Sequence, residues 1–198
     1  MTKKLFLPGA GGAATFWEPV ASRLPETESN FLFSWPGLGD QPAVSHVNSV
    51  DDLVSLVETE IDNPVDLIAQ SMGGVVAARI AIERPDSVRR LVLTATSAGL
   101  EMANLGATDW RNSYLQTFPH TARWITEKNA TAPLPVEGIA APTLLIWGDS
   151  DPISPVAVGE ELLSRIPNAR LEIIAGGDHD LAVQHPGPVS DLIHEHLS

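Results

Sequence analysis

Ser71 stands where a hydroxyl can be made into a nucleophile. The run Pro64-Val65-Asp66-Leu67-Ile68-Ala69-Gln70-Ser71-Met72-Gly73-Gly74 reads as an apolar strand, a serine and the start of a helix. Ala69 and Gly73 are the small residues two before and two after it. A tight strand-to-helix turn needs small residues there, and it pushes the serine oxygen out of the sheet edge. The helix N-terminus behind it offers free backbone N–H groups to a developing anion. A serine needs a base, and the base needs an orienting acid. Asp149 and Asp151 lie in Trp147-Gly148-Asp149-Ser150-Asp151-Pro152, after an apolar run. His179 lies in Gly176-Gly177-Asp178-His179-Asp180, with an aspartate on each side. The order serine, aspartate, histidine is one of the known triad arrangements.

These residues need a frame. Apolar runs at Lys4–Leu7, Asn30–Trp35, Val65–Ala69, Leu91–Thr94, Thr143–Trp147 and Leu171–Ile174 read as strands. They are nearly continuous in apolar residues, which suits a parallel sheet covered on both faces. Ser49 reads as an N-cap with Asp52 as its capping-box partner, and Val50, Leu53, Val54, Val57 and Ile61 share one helical face. Helices are also expected over Met72–Glu83, Pro155–Arg165 and Pro188–His196. Strand–helix alternation predicts an α/β, doubly wound, mostly parallel sheet with helices on both faces. The stretch 98–141 breaks this rhythm, and the sheet has no evident use for it. It reads as an inserted cap, since long connections tend to carry function. The expected division is a core of 1–97 and 142–198 with a cap of 98–141.

The 198 residues make one domain, and 43% hydrophobic content can build its core. A formal charge of −13 argues against nucleic acid or an anionic membrane as partner. With no cysteine, disulfides and thiolate chemistry are excluded. The opening apolar run is too short for a signal peptide, so a cytoplasmic location is expected.

Gly9-Ala10-Gly11-Gly12-Ala13-Ala14 fits a dinucleotide fingerprint, but no acid closes the second strand to hold a ribose. Asp149, Asp151 and Glu160 fit three positions of a calcium loop, but Pro152 and Pro155 stiffen it and Ser154 replaces its glycine. His194-Glu195-His196 reads as a solvated tail.

Taken together, the motifs resemble the α/β-hydrolase superfamily, in particular its small lidded esterases and cofactor-free haloperoxidases. Leu7-Pro8-Gly9-Ala10-Gly11-Gly12 resembles the family's His-Gly oxyanion loop, and Phe16-Trp17-Glu18-Pro19 the helix after it. Trp35-Pro36-Gly37-Leu38-Gly39-Asp40 is similar to the family's D-x-P-G-x-G loop. The resemblance implies Ser71 as nucleophile, His179 as base and Asp151 as orienting acid, with Asp149 holding the turn. It implies an oxyanion hole from the backbone N–H groups of Ala10 and Met72. It implies no cofactor and no metal. Three departures stand out. Pro8 replaces a histidine, which removes a supporting hydrogen bond. Trp35 replaces an aspartate. The leading β-hairpin of the fold looks absent.

The expected function is hydrolysis of a carboxylic ester, or a related acyl bond, of a small-molecule substrate. Trp110, Tyr114 and Phe118, spaced by four on one helical face, are candidate substrate-binding residues and imply an apolar or aromatic substrate. The same rings equally serve to glue the cap to the body. The alternatives are a hydrolase-like ligand-binding protein with an idle triad and a C–C hydrolase or lyase on the same scaffold.

Overall fold

The computed structural model describes residues 2–25, 29–127, 130 and 132–198. The strands are β1 (Lys4–Leu7), β2 (Asn30–Leu32), β3 (Val65–Gln70), β4 (Val88–Thr94), β5 (Thr143–Gly148) and β6 (Ala169–Ile174). They form one six-stranded sheet in the order β2-β1-β3-β4-β5-β6, with every neighbouring pair parallel. The α-helices among the described residues are α1 (Glu18–Ala21), α2 (Val50–Glu58), α3 (Met72–Glu83), α4 (Arg111–Thr117), α5 (Val156–Arg165), α6 (Leu181–Gln184) and α7 (Pro186–Leu197). None is long and apolar enough to cross a membrane.

The continuous apolar strands feed two cores, because successive side chains point to opposite faces. Leu5, Leu7, Leu67, Leu91 and Trp147 enter one core with residues of α2, α3 and α5. Phe6, Ile68, Val92 and Leu144 enter the other with residues of α1, α6 and α7. Helix α2 starts as the capping box requires. Ser49 Oγ accepts from the Asp52 N–H at 3.2 Å, and the Asp52 carboxylate accepts from Ser49 Oγ at 2.8 Å. The Asn48 N–H, also bound to that carboxylate, is the main force holding its pKa below the ordinary value.

Three expectations change. Strand β2 ends at Leu32 rather than Trp35, because the chain turns to join the Trp35 N–H to the Gly12 carbonyl at 2.8 Å. Helix α7 begins at Pro186, where a proline loses no hydrogen bond, and the short α6 precedes it. The histidine pair near the C-terminus is not a solvated tail throughout. His196 Nε2 lies 3.2 Å from the Pro142 carbonyl, and burial pushes its pKa down.

The stretch 98–141 also has a core role that periodicity does not reveal. Ala98, Tyr114, Ile125, Val136 and Ile139 are buried in the same cluster as Leu5 and Trp35.

The sheet order fixes where a ligand can sit. From β1 the chain runs outward to β2, then returns to place β3 on the other side of β1. The loops after β1 and β3 therefore diverge, and open parallel sheets bind ligands at such a switch point.

Candidate active site

The loops leaving the carboxyl ends of β1, β3, β5 and β6 carry Ala10, Ser71, Asp151 and His179. Ser71 has φ 52° and ψ −119°, a conformation that costs a non-glycine residue energy. The surroundings hold it there. Its N–H donates to the Thr94 carbonyl at 3.0 Å, and its carbonyl accepts from Thr96 Oγ1 at 2.5 Å. A Cβ on Gly73 would lie 2.5 Å from the carbonyl oxygens of Leu7 and Pro8. One on Gly74 would lie 2.5 Å from Thr96 Oγ1. The small residues after the serine are thus required by backbone and side chain packed against them.

Ser71, His179 and Asp151 meet. His179 Nε2 is 2.9 Å from Ser71 Oγ, and His179 Nδ1 is 2.8 Å from Asp151 Oδ2. The Asp151 side chain is fully buried, while that of His179 is 19% exposed. Asp151 Oδ1 accepts from the N–H groups of Ile153 and Ser154 at 2.8 and 3.1 Å. The two oxygens of one carboxylate thus face different partners, which fixes its plane toward the imidazole.

The neighbouring acids do other things. Asp149 Oδ1 accepts from the Gly176 N–H at 2.8 Å and from Ser150 Oγ at 3.0 Å. It ties the Asp151 loop to the His179 loop and stays exposed. Asp178 accepts from Gln184 Nε2 at 2.7 Å. Among the described residues Asp180 makes no hydrogen bond to His179. Burial pushes the Asp180 carboxyl above its ordinary pKa, against the pull of His179.

Met72 opens α3, so its N–H precedes the first intrahelical bond and is free for an anion. The Ala10 N–H donates to no partner among the described residues. Aromatic side chains hold the loop around it. Trp17 Nε1 donates to the Leu7 carbonyl at 3.0 Å, Trp35 Nε1 to that of Pro8 at 2.7 Å, and Tyr114 Oη to that of Ala10 at 2.7 Å. Trp35, expected only as a departure from the family pattern, thus donates a hydrogen bond to this loop.

Gln70 and Thr96 brace the candidate site, and the sequence alone does not single them out. Gln70 Nε2 donates to the His179 carbonyl at 3.1 Å, bracing the histidine loop from beside Ser71. The only local signal is adjacency to Ser71. Thr96 has none, because its partner is distant in sequence. Within residues 98–141, Trp110 and Tyr114 stack edge to face with centroids 5.3 Å apart, and Tyr114 lies 5.2 Å from Phe118. No group of three or more His, Asp or Glu residues among those described could hold a metal ion.

Known proteins are similar to this chain in sequence and fold. The family model described as "Alpha/beta hydrolase family" matches residues 5–134, and one described as "alpha/beta hydrolase fold" matches 108–186. A pimeloyl-[acyl-carrier protein] methyl ester esterase of Neisseria meningitidis serogroup A is 28% identical, over 92% of this chain and 73% of that protein. A 2-hydroxymuconate semialdehyde hydrolase of a Pseudomonas species is 22% identical, over 98% of this chain and 86% of that protein. Among solved structures, a bacterial membrane phospholipase A superposes with TM-score 0.81 at 20% identity, covering 99% of this chain and 78% of that one. With a family model spanning most of its length, the chain belongs to the alpha/beta hydrolase family and is a hydrolase.

Proposed function

We propose that the protein hydrolyses a carboxylic ester of a small apolar or aromatic molecule through Ser71, His179 and Asp151. The observation that carries this reading is the unbroken hydrogen-bonded line from Asp151 Oδ2 through His179 to Ser71 Oγ. The esterase among the relatives supports the choice of bond.

In this mechanism His179 Nε2 takes the proton of Ser71 as Oγ attacks the ester carbonyl. The carbonyl oxygen becomes an anion, stabilised by the N–H groups of Ala10 and Met72. His179 then gives its proton to the departing alcohol, leaving an acyl group on Ser71. Water repeats the cycle. Its proton goes to His179, its oxygen bonds to the acyl carbon, and the proton returns to Ser71 as the acid leaves. Asp151 holds the Nδ1–H tautomer and stabilises the imidazolium. Residues 98–141 act as a cap above the carboxyl edge of the sheet.

The test is labelling with a fluorophosphonate probe, then turnover of p-nitrophenyl esters of increasing acyl length. The label is expected on Ser71. Ser71→Ala is expected to lower turnover about 10⁴- to 10⁶-fold. Label on any other serine overturns the assignment.

A further inference from the structure

The chain holds one tyrosine, Tyr114, and its hydroxyl is fully engaged. The residue is 9% exposed. Its Oη donates to the Ala10 carbonyl at 2.7 Å, accepts from the Gly39 N–H at 3.1 Å, and pairs with Thr121 Oγ1 at 2.7 Å. A phenol has one proton to give, and here Ala10 receives it, so Thr121 is the donor in the third bond. No capacity is left for a substrate.

Ala10 is held on one side and open on the other. Its carbonyl is fixed by Tyr114, while its N–H has no partner among the described residues. The loop around it contains Gly9, Gly11 and Gly12, which restrict the backbone little. The indole bonds to Leu7 and Pro8 act upstream of Ala10. Tyr114 is the side chain that grips Ala10 itself.

We propose that Tyr114 is a positioning residue of the oxyanion hole: reaching down from the cap, it fixes the Ala10 peptide so that the free N–H stays aimed at the reacting carbonyl. This rests on the ester-hydrolase reading above. An oxyanion donor works only when it is already in place as the charge develops. The cap is then part of the catalytic geometry even for substrates too short to touch it.

The experiment compares Tyr114→Phe with Thr121→Val in the full chain, using p-nitrophenyl acetate. Tyr114→Phe keeps the ring and removes the grip on Ala10. Its kcat is expected to fall about 10- to 100-fold with KM within about threefold, somewhat less than deleting an oxyanion donor outright. Thr121→Val breaks the same buried network but leaves the Ala10 bond. It is expected to lower Tm comparably while keeping kcat within about threefold of wild type. Phenylboronic acid, which forms a tetrahedral anion on a reactive serine, is expected to bind the Phe variant more weakly in step with kcat. Wild-type kcat in Tyr114→Phe, or an equal loss of kcat in both variants, overturns the proposal. Wild-type protein that takes no fluorophosphonate at Ser71 fails earlier, and overturns the hydrolase reading itself.

Discussion

The indole N–H of Trp35 donates to the carbonyl of Pro8 across 2.7 Å, and both residues depart from the family pattern at their positions. The bond braces the loop that carries Ala10 from a residue beyond β2. Trp35 is fully buried, so removing its N–H leaves the Pro8 carbonyl unsatisfied. Trp35→Phe is expected to cost at least about 1–3 kcal/mol of stability. Chemical denaturation followed by circular dichroism measures it. Unchanged stability would mean that the bond contributes nothing to the loop.

Asp151 and Asp149 are expected to differ sharply when each is made neutral. Asp151→Asn favours the wrong imidazole tautomer and is expected to lower kcat by about 10⁴. Asp149→Asn retains an oxygen for the Gly176 N–H, so its loss is expected to stay under about tenfold. Steady-state kinetics of the two variants decide the matter, and the reverse ranking would sink the assignment.

Trp110 tests the proposed cap as an acyl pocket. It is only partly buried, and its ring packs edge to face on Tyr114. If its ring lines the pocket, Trp110→Ala lowers kcat/KM for a long ester by about 1–3 kcal/mol and spares the acetate. Equal losses on both esters, with a lower Tm, would leave it as a cap anchor.

Tyr114 also makes a pH prediction. Burial raises its pKa above 10.0, outweighing the hydrogen bonds from Thr121 and Gly39 that favour the phenolate. The folded state therefore prefers the protonated phenol. The stability this gives is complete below the unfolded pKa of about 10 and is lost as pH rises through the folded value. With one tyrosine in the chain, the appearance of phenolate absorbance reads this group alone. The midpoint is expected to be higher in folded protein than in guanidinium. Coincident midpoints would contradict a buried, engaged hydroxyl.

The candidate triad is legible in the sequence because each member follows an apolar run within a few residues, and a parallel sheet brings such ends to one edge; the choice of Asp151 over Asp149 comes from the resemblance. Strands β1, β3 and β5 read within one residue of their observed spans for the same reason, while β4 and β6 begin three and two residues earlier than their apolar runs. The supports are not legible. Trp35, Thr96 and Tyr114 act on backbone atoms distant in sequence, and no local pattern marks a side chain whose partner is a carbonyl. The core role of Ile125 and Val136 was hidden likewise, because their segment lacks the regular period of a long helix or strand. Strand β2 reads too long because apolar content persists through Phe33 and Trp35 after the ladder ends.

The positive φ of Ser71 has a consequence for how this chain can change over generations. A backbone so placed carries strain of about 1–3 kcal/mol in any residue with a Cβ, and glycine is free of it. Judged by folding alone, position 71 belongs to glycine. Drift that rewards only a more stable fold therefore pushes position 71 toward glycine, and under the proposed mechanism the serine persists only while its chemistry is selected.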